Sequence, residues 1–192
     1  MPVGSMRLTL PLGALLLTFL APAAQAVEYT GIDPAASKLG FTYTEMGVNI
    51  DGGFARYSAK LAFDPAKPEA ARVAIDVQVA SVDAGSQEAT AEVAGAAWFD
   101  TARHPVAHFE STGVKLLAPG RYQLSGNLTI KGRTHAIAVL ASYQAQAARG
   151  VLSGELRFNR TDYGVGEGEW ADTSIVADAV RVRFNLTLTA GK

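Results

Sequence analysis

The stretch Val180-Arg-Val-Arg-Phe-Asn-Leu-Thr-Leu-Thr189, near the end of the chain, decides the fold. Apolar side chains alternate with polar ones along its whole length, which is typical of a β-strand that buries one face. The same period of two recurs through most of the chain that precedes it. It predicts eight strands, at about residues 38–44, 54–63, 73–80, 106–117, 122–130, 135–144, 152–159 and 180–189.

Short turn sequences separate several of these segments. They are Asp51-Gly52-Gly53, Pro119-Gly120, Lys131-Gly132 and Arg149-Gly150, and all suit tight reversals between antiparallel strands. A sheet of eight strands with one apolar face can hide that face, and remove its exposed edges, by closing on itself. We therefore predict an all-β fold, an eight-stranded antiparallel up-and-down barrel, with a two-sheet sandwich as the alternative.

Two segments break the alternation. Residues 86–97 are rich in Ala and Glu and predict one short helix, with Ser86 as its N-cap. Residues 163–174 are rich in Gly and acidic side chains and contain Gly164-Val-Gly166-Glu-Gly168. Because a phosphate cradle requires a helix after such glycines, we interpret this segment as a flexible loop at the rim of the barrel.

Residues 1–26 have the three parts of a secretory signal peptide. Arg7 precedes the apolar run 8–20, and Ala24-Gln25-Ala26 resembles a cleavage site. The apolar run is shorter than the roughly 20 residues of a membrane span, although an uncleaved anchor helix is the alternative. We expect a cleaved signal and a mature single domain at residues 27–192. Export of a domain without cysteine suits a bacterial envelope protein.

Composition excludes several kinds of site. The chain has no cysteine, so disulfides and thiolate chemistry are excluded. Lys and Arg total 17 against 18 Asp and Glu, with no basic run, which argues against nucleic-acid binding. His104 and His108 are four residues apart, but a zinc site normally needs three or four protein ligands. We therefore expect no metal and no cofactor apart from a possible bound lipid.

A catalytic set is not evident either. The serines lack the pattern of a nucleophile elbow, and we predict that the protein is not an enzyme. One alternative remains open, a hydrolase that uses acidic side chains at the rim of the barrel. Its candidate residues are Asp162, Glu167, Glu169 and Asp172.

Large apolar and aromatic side chains on the predicted strands and near the helix are the strongest candidates for a binding site. If the barrel encloses a cavity, they line it; if the barrel is solid, they are its core and the protein is an interaction module. The candidates are Phe41, Tyr43, Phe54, Ile75, Val77, Trp98, Phe99, Phe109, Leu128, Ile130, Val139, Phe158, Tyr163, Trp170 and Phe184. For polar contacts at the mouth the candidates are Tyr43, Tyr163, Trp170, His104 and Arg160.

The order of short motifs resembles that of the YceI-like family of bacterial periplasmic proteins, over essentially the whole mature chain. The motifs are Gly53-Phe54, Trp98-Phe99-Asp100, Arg103-His-Pro-Val-Ala-His-Phe-Glu-Ser111, Gly126-Asn-Leu-Thr-Ile-Lys-Gly132 and Arg160-Thr-Asp-Tyr-Gly-Val-Gly166. One departure is the helix, whose Ala and Gly residues are smaller than the family often shows.

This resemblance implies a lipocalin-like barrel with a helix across one end. It also implies a polyisoprenoid ligand, such as a quinone tail or an isoprenoid alcohol or amide, and no established enzyme activity. We expect a carrier or a stress-related shelter for such a lipid, in transient contact with a membrane. A monomer and a homodimer are both compatible with the sequence.

Overall fold

The computed structural model describes residues 27–146 and 149–191. The predicted signal peptide lies outside these ranges. The described residues form eleven strands in one antiparallel sheet, together with one α-helix. The strands are β1 (Tyr29–Ile32), β2 (Lys38–Glu45), β3 (Val48–Phe54), β4 (Tyr57–Ala62), β5 (Arg72–Gln78), β6 (Val82–Asp83), β7 (Val106–Ala118), β8 (Arg121–Ile130), β9 (Arg133–Gln146), β10 (Arg149–Asn159) and β11 (Ala179–Ala190), and the helix is α1 (Gln87–Val93).

The eleven strands correspond to the eight strands of an up-and-down barrel. Three of the eight are each interrupted once and so appear as two strands: β1 with β2, β3 with β4, and β5 with β6. β1 and β2 both pair with β11 and are separated by a 3-10 turn at Pro34–Ala36. β3 continues into β4, and their partners β6 and β5 are separated by a 3-10 turn at Val79–Ser81. Alternation predicted eight of these strands and missed β1, β3 and β6. β1 and β6 are short, and part of β3 was assigned to a turn.

The sheet closes through β1. In the order β4-β5-β7-β8-β9-β10-β11, each strand pairs with the next, and β1 pairs with β11. Tyr29 then exchanges two backbone hydrogen bonds with Phe63, directly after β4, at 2.9 and 3.0 Å. At the other end of the barrel, β2 pairs with β3. The predicted antiparallel barrel is confirmed, and the alternative of a two-sheet sandwich is wrong.

The predicted turn at Asp51-Gly52-Gly53 is wrong. These residues lie within β3, and the reversal occurs at Met46-Gly47, where both residues have positive φ. A strand position is a glycine here because the Phe41 ring of the neighbouring strand lies over residue 52, and a Cβ there would clash with that ring. Arg149 and Gly150 likewise pair with β9 as the first residues of β10.

The helix and the Gly-rich segment both lie at one end of the barrel. Ser86 caps α1 as predicted, its hydroxyl accepting a hydrogen bond from Ala89 N at 3.1 Å. The helix ends earlier than predicted, and residues 94–104 return to β7 through a series of turns. We call the end that carries α1, the Met46-Gly47 turn and residues 160–178 the loop end, and the end that carries the Pro119-Gly120 turn the closed end.

Two buried clusters fill the ends of the barrel. The closed-end cluster centres on Tyr29, Phe63, Tyr122 and Leu188. The loop-end cluster consists of Trp98, Ile130, Tyr163, Val165 and Val176. Inward-facing residues of the strands between the two clusters therefore decide whether the middle of the barrel is solid or open.

Candidate ligand cavity

The middle of the barrel is open. A cavity of about 550 Å³ extends through it, bounded by Leu152 and Leu186 from the closed-end cluster and by Trp98 and Val176 from the loop-end cluster. Its walls are almost entirely apolar. The volume lies within the range of about 300–1,000 Å³ that is usual for small-molecule sites. The alternative of a solid barrel is therefore wrong.

Fourteen of the fifteen side chains predicted to line a cavity do so. They are Phe41, Tyr43, Phe54, Ile75, Val77, Trp98, Phe99, Phe109, Leu128, Ile130, Val139, Phe158, Trp170 and Phe184. Tyr163 lies outside the lining. It is buried behind the wall, where its ring packs edge-on against Phe158 and His135 at centroid distances of 5.2 and 4.9 Å.

Sequence reasoning missed further lining residues of two kinds. The first kind shares the inward face of a strand with a predicted residue, and alternation could have found it. Examples are Leu39, Leu124, Leu156 and Val182. The second kind comes from α1 and from the segment before β11, as Ala89, Val93 and Val176 do; alternation carries no signal for these.

Glycines opposite aromatic side chains help to keep the cavity open. The Phe41, Phe109 and Phe184 rings, all part of the lining, lie over Gly52, Gly126 and Gly154 of neighbouring strands. A Cβ on any of these glycines would lie within clashing distance of its ring. Because each ring occupies the space of a missing side chain, it lies against the wall instead of crossing the barrel.

The polar part of the lining marks a mouth between α1 and the end of β2. Glu45, Glu88 and Glu92 border the cavity there and are half-buried or exposed. The Tyr43 hydroxyl donates to the Ala84 carbonyl at 3.0 Å. Burial, assisted by the charge of Glu45, raises the pKa of Tyr43, so this hydroxyl stays protonated. The mouth is therefore acidic, and the cavity behind it is apolar.

Arg160 closes the loop end by binding backbone. All five N–H donors of its guanidinium are used, with acceptors at the carbonyls of Ala177, Val165, Gly166, Trp170 and Val176 at 2.7–3.3 Å. Its guanidinium carbon lies 5.4 Å from the centroid of the Trp98 ring, within cation–π range.

The Arg160 side chain is buried, and burial lowers its pKa although the charge of Asp178 opposes this. The Gly-rich segment is thus wrapped around a cation, and the predicted flexible loop is wrong. Arg160 borders the cavity, but its donors are not available to a ligand. His104, another predicted mouth residue, lies outside the lining, near Gly132.

The four acids of the hydrolase alternative, Asp162, Glu167, Glu169 and Asp172, lie outside the cavity lining. Glu167 bonds to Lys131 at 3.0 Å and to Arg133 at 2.7 Å. The Lys131 ammonium, with Arg133, lowers the pKa of Glu167, and hydrogen bonds from Ser174 lower the pKa of Asp172. These two acids are therefore carboxylates at neutral pH and unsuited to act as general acids.

The described part of the chain contains neither a metal-binding cluster nor a membrane-spanning helix. Within residues 27–146 and 149–191, no group of three or more His, Asp or Glu side chains is arranged to hold a metal ion. His108 instead lies 2.7 Å, Nδ1 to Oδ1, from Asp76. The helix found in these ranges is too short and too polar to cross a bilayer.

A family model for the YceI-like domain matches residues 31–188. The chain belongs to the YceI-like family. An Azotobacter vinelandii relative, named only as a UPF0312 protein, is 30% identical over 165 residues, 81% of this chain and 84% of the relative. The resemblance carried by the motif order is thereby confirmed.

Solved YceI-like structures share the architecture. The crystal structure of Burkholderia cenocepacia BcnA has 37% sequence identity and a TM-score of 0.80, over 82% of this chain and 99% of that one. A polyisoprenoid-binding domain from Saccharophagus degradans, implicated in plant cell wall breakdown, has 19% identity and a TM-score of 0.69, over 85% and 99% of the two chains. At that identity the second likeness shows the fold alone.

Proposed function

We propose that this YceI-like protein binds an isoprenoid lipid with an uncharged head group, in the periplasm, and carries or shelters it without chemical change. The apolar cavity of about 550 Å³ is the observation that carries this proposal. The polyisoprenoid-binding domain of S. degradans, which has the same fold, supports the ligand class. Stress-related shelter and export by residues 1–26 stay predictions from the sequence.

The chemistry of the lining favours binding over catalysis. Walls of aliphatic and aromatic side chains supply contact area but few groups that could transfer a proton or attack a substrate. Arg160 is engaged by backbone carbonyls, and the four acids proposed for a hydrolase lie elsewhere. The hydrolase alternative therefore has the weaker structural support.

Energetics favour exchange with a membrane over permanent capture. Moving each CH₂ group out of water yields about 0.8 kcal/mol. Summed over an isoprenoid tail, this would exceed the practical affinity limit of roughly 18–21 kcal/mol. An isoprenoid lipid in a cell is dissolved in a bilayer, which is already apolar, so its transfer into the barrel is close to neutral. Such a protein loads and unloads lipid instead of trapping it.

The mouth favours an uncharged head group. Glu45, Glu88 and Glu92 surround it, and among the described residues that line the cavity Arg160 is the only Lys or Arg. A lipid phosphate at the mouth would face three carboxylates while the one nearby cation is saturated with carbonyls. A quinone, an alcohol or an amide would not meet this repulsion.

Tryptophan fluorescence offers a direct test. The chain has two tryptophans, Trp98 and Trp170, and both line the cavity, so a quinone bound there should quench the emission. We expect a soluble short-tailed quinone, decylubiquinone, to quench wild type, and a short prenyl phosphate to compete poorly for the site. Solvent extraction of protein purified from a bacterial periplasm should also yield an isoprenoid lipid by mass spectrometry.

A pair of variants on β4 separates cavity binding from surface binding. Ala59 lines the cavity, whereas Ser58, its neighbour, faces outward and is exposed. Ala59→Phe should weaken quenching by about tenfold or more, since a filled cavity removes apolar contact area. Ser58→Phe should bind as wild type does. Equal quenching by both variants, together with extracts that contain no lipid, would contradict the proposal.

A further inference from the structure

Three large apolar side chains are exposed at the loop end. Met46 is 75% exposed, Val48 62% and Ile175 40%. They lie together because Met46 N donates to the Ile175 carbonyl at 2.8 Å and because β3 begins at Val48, directly after the Met46-Gly47 turn. We call these three residues the apolar tip.

The backbone at the tip is unfavourable for its side chain. Met46 and Gly47 occupy the two central positions of a two-residue hairpin, with φ of 46° and 81°. Such turns need positive φ at both positions and are normally built from Asn-Gly or Asp-Gly. A methionine there carries the steric cost of a left-handed backbone and also exposes an apolar side chain to water. Folding gains nothing evident from this choice, and residues that break local rules in this way often belong to functional sites.

The apolar tip adjoins the mouth of the cavity. Glu45, which precedes Met46, and Val176, which follows Ile175, both line the cavity. These two lining residues also pair with each other in an isolated β-bridge. The tip is therefore continuous with the wall of the mouth, on the path that a lipid would follow to enter.

We infer that the apolar tip inserts into the surface of a bilayer composed of uncharged or zwitterionic lipids, and so places the mouth where a lipid can pass between membrane and cavity. This inference rests on the proposed function and adds the surface that the transfer uses. Burial of each aliphatic group in a bilayer is favourable by itself, so three inserted side chains suffice for a weak and reversible contact.

A protein partner or a second copy of the chain fits the tip less well. Stable protein interfaces bury about 1,200–2,000 Å² in total, from 20–30 residues on each side. Three side chains at a hairpin tip and one neighbouring loop provide far less. Glu45 directly precedes Met46, and Glu88 and Glu92 border the same mouth, so an anionic bilayer should repel this end of the barrel.

The closed end supplies a matched control. Leu116, Leu117 and Leu140, which are 48%, 46% and 56% exposed, lie on strands remote from the mouth. Met46→Ser, Val48→Ser and Ile175→Ser combined form the tip variant. Leu116→Ser, Leu117→Ser and Leu140→Ser combined remove as many exposed apolar side chains and form the control variant. Trp98 and Trp170 are unchanged in both variants.

The experiment uses vesicles of phosphatidylcholine and phosphatidylethanolamine that carry a long-chain ubiquinone. Stopped-flow tryptophan quenching measures the transfer rate, and flotation measures binding of the empty protein. We expect the tip variant to transfer quinone at least about tenfold more slowly and to float less, and the control variant to stay within about twofold of wild type. Adding phosphatidylglycerol should slow transfer to wild type.

Several results would overturn the inference. The first two are an unchanged transfer rate in the tip variant and an equally slow rate in the control variant. The others are faster transfer from anionic vesicles, and a dimer that wild type and the control variant form but the tip variant does not. Quenching by decylubiquinone in solution separates the two proposals. If wild type shows none, the proposed function fails, whereas flotation of wild type against the tip variant still decides whether the tip binds bilayers.

Discussion

The two ends of the barrel are closed by different means. At the closed end, aromatic rings pack against one another, and the Tyr29 and Tyr143 hydroxyls form a hydrogen bond at 2.9 Å. The void left there is about 20 Å³. At the loop end, backbone carbonyls wrap around one buried cation, Arg160, and the adjoining cavity measures about 550 Å³.

Polar groups are also treated differently at the two ends. At the closed end the Tyr29 and Tyr143 hydroxyls bond to each other, whereas Trp98 Nε1 and the Tyr163 hydroxyl at the loop end are buried with no hydrogen-bond partner among the described residues. A buried unpaired polar group costs about 1–3 kcal/mol. The comparison indicates that the packing of the closed end stabilises the barrel. The loop end is less stable by the cost of these unpaired groups, and the space beneath it stays open.

Replacing Arg160 should produce the largest effect on stability. Arg160→Met leaves five carbonyls without their donors, so we expect a loss of about 3–5 kcal/mol in the free energy of unfolding. Arg160→Lys should recover only part, since an ammonium has three donors in place of five. Urea denaturation measures both variants.

Arg157→Met is the matched control for Arg160. Its guanidinium is exposed and pairs with Glu155 at 2.9 Å, and exposed pairs contribute at most about 1 kcal/mol. If Arg160→Met were no more destabilising than Arg157→Met, the loop end would not depend on the buried cation, and the contrast between the two ends would be lost.

Removing one tyrosine hydroxyl should destabilise the closed end but not the loop end. Tyr143→Phe breaks the bond to Tyr29 and should cost about 1–2 kcal/mol at neutral pH. Tyr163→Phe deletes a hydroxyl that has no partner among the described residues and should be neutral or stabilise by up to about 1 kcal/mol. Thermal and urea unfolding of the two variants would show the sign directly, and equal losses would contradict the comparison.

Alternation in the sequence predicted the barrel and most of its lining because both depend on a local property. A strand that faces a cavity on one side and water on the other must alternate, whatever its neighbours are. Where a strand is interrupted, as by the 3-10 turn at Val79–Ser81, the alternating segment that follows is too short to be recognised as a strand. Gly52 was assigned to a turn because its true role, making room for Phe41, depends on a partner in another strand.

The loop end was harder to predict because its contacts do not produce a recognisable pattern of side chains in the sequence. Arg160 looked like a polar residue at the rim, whereas five backbone carbonyls, which any sequence possesses, hold it in the interior. Tyr163, a large aromatic residue next to the last strands, was predicted to line the cavity, but it lies behind the wall. The acidic mouth likewise depends on where α1 lies relative to β2.

Alkaline pH should reveal the smallest difference between the ends. Burial, with the charge of Asp162, raises the pKa of Tyr163 to about 12, whereas a tyrosine in the unfolded chain has a pKa of about 10. Between these values the unfolded chain releases a proton that the folded protein retains, so stability falls as pH rises. At pH 10.5, Tyr163 alone should account for roughly 0.8 kcal/mol of that fall.

Comparison of urea midpoints at pH 8 and pH 10.5 measures this effect. Tyr163→Phe should lose less stability over that interval than wild type does, although Tyr143, whose pKa burial also raises, continues to contribute. Tyr143→Phe provides the corresponding measurement at the closed end. A Tyr163→Phe variant that lost as much stability as wild type would mean that Tyr163 ionises normally in the folded protein, and hence that water reaches the loop end behind the cavity wall.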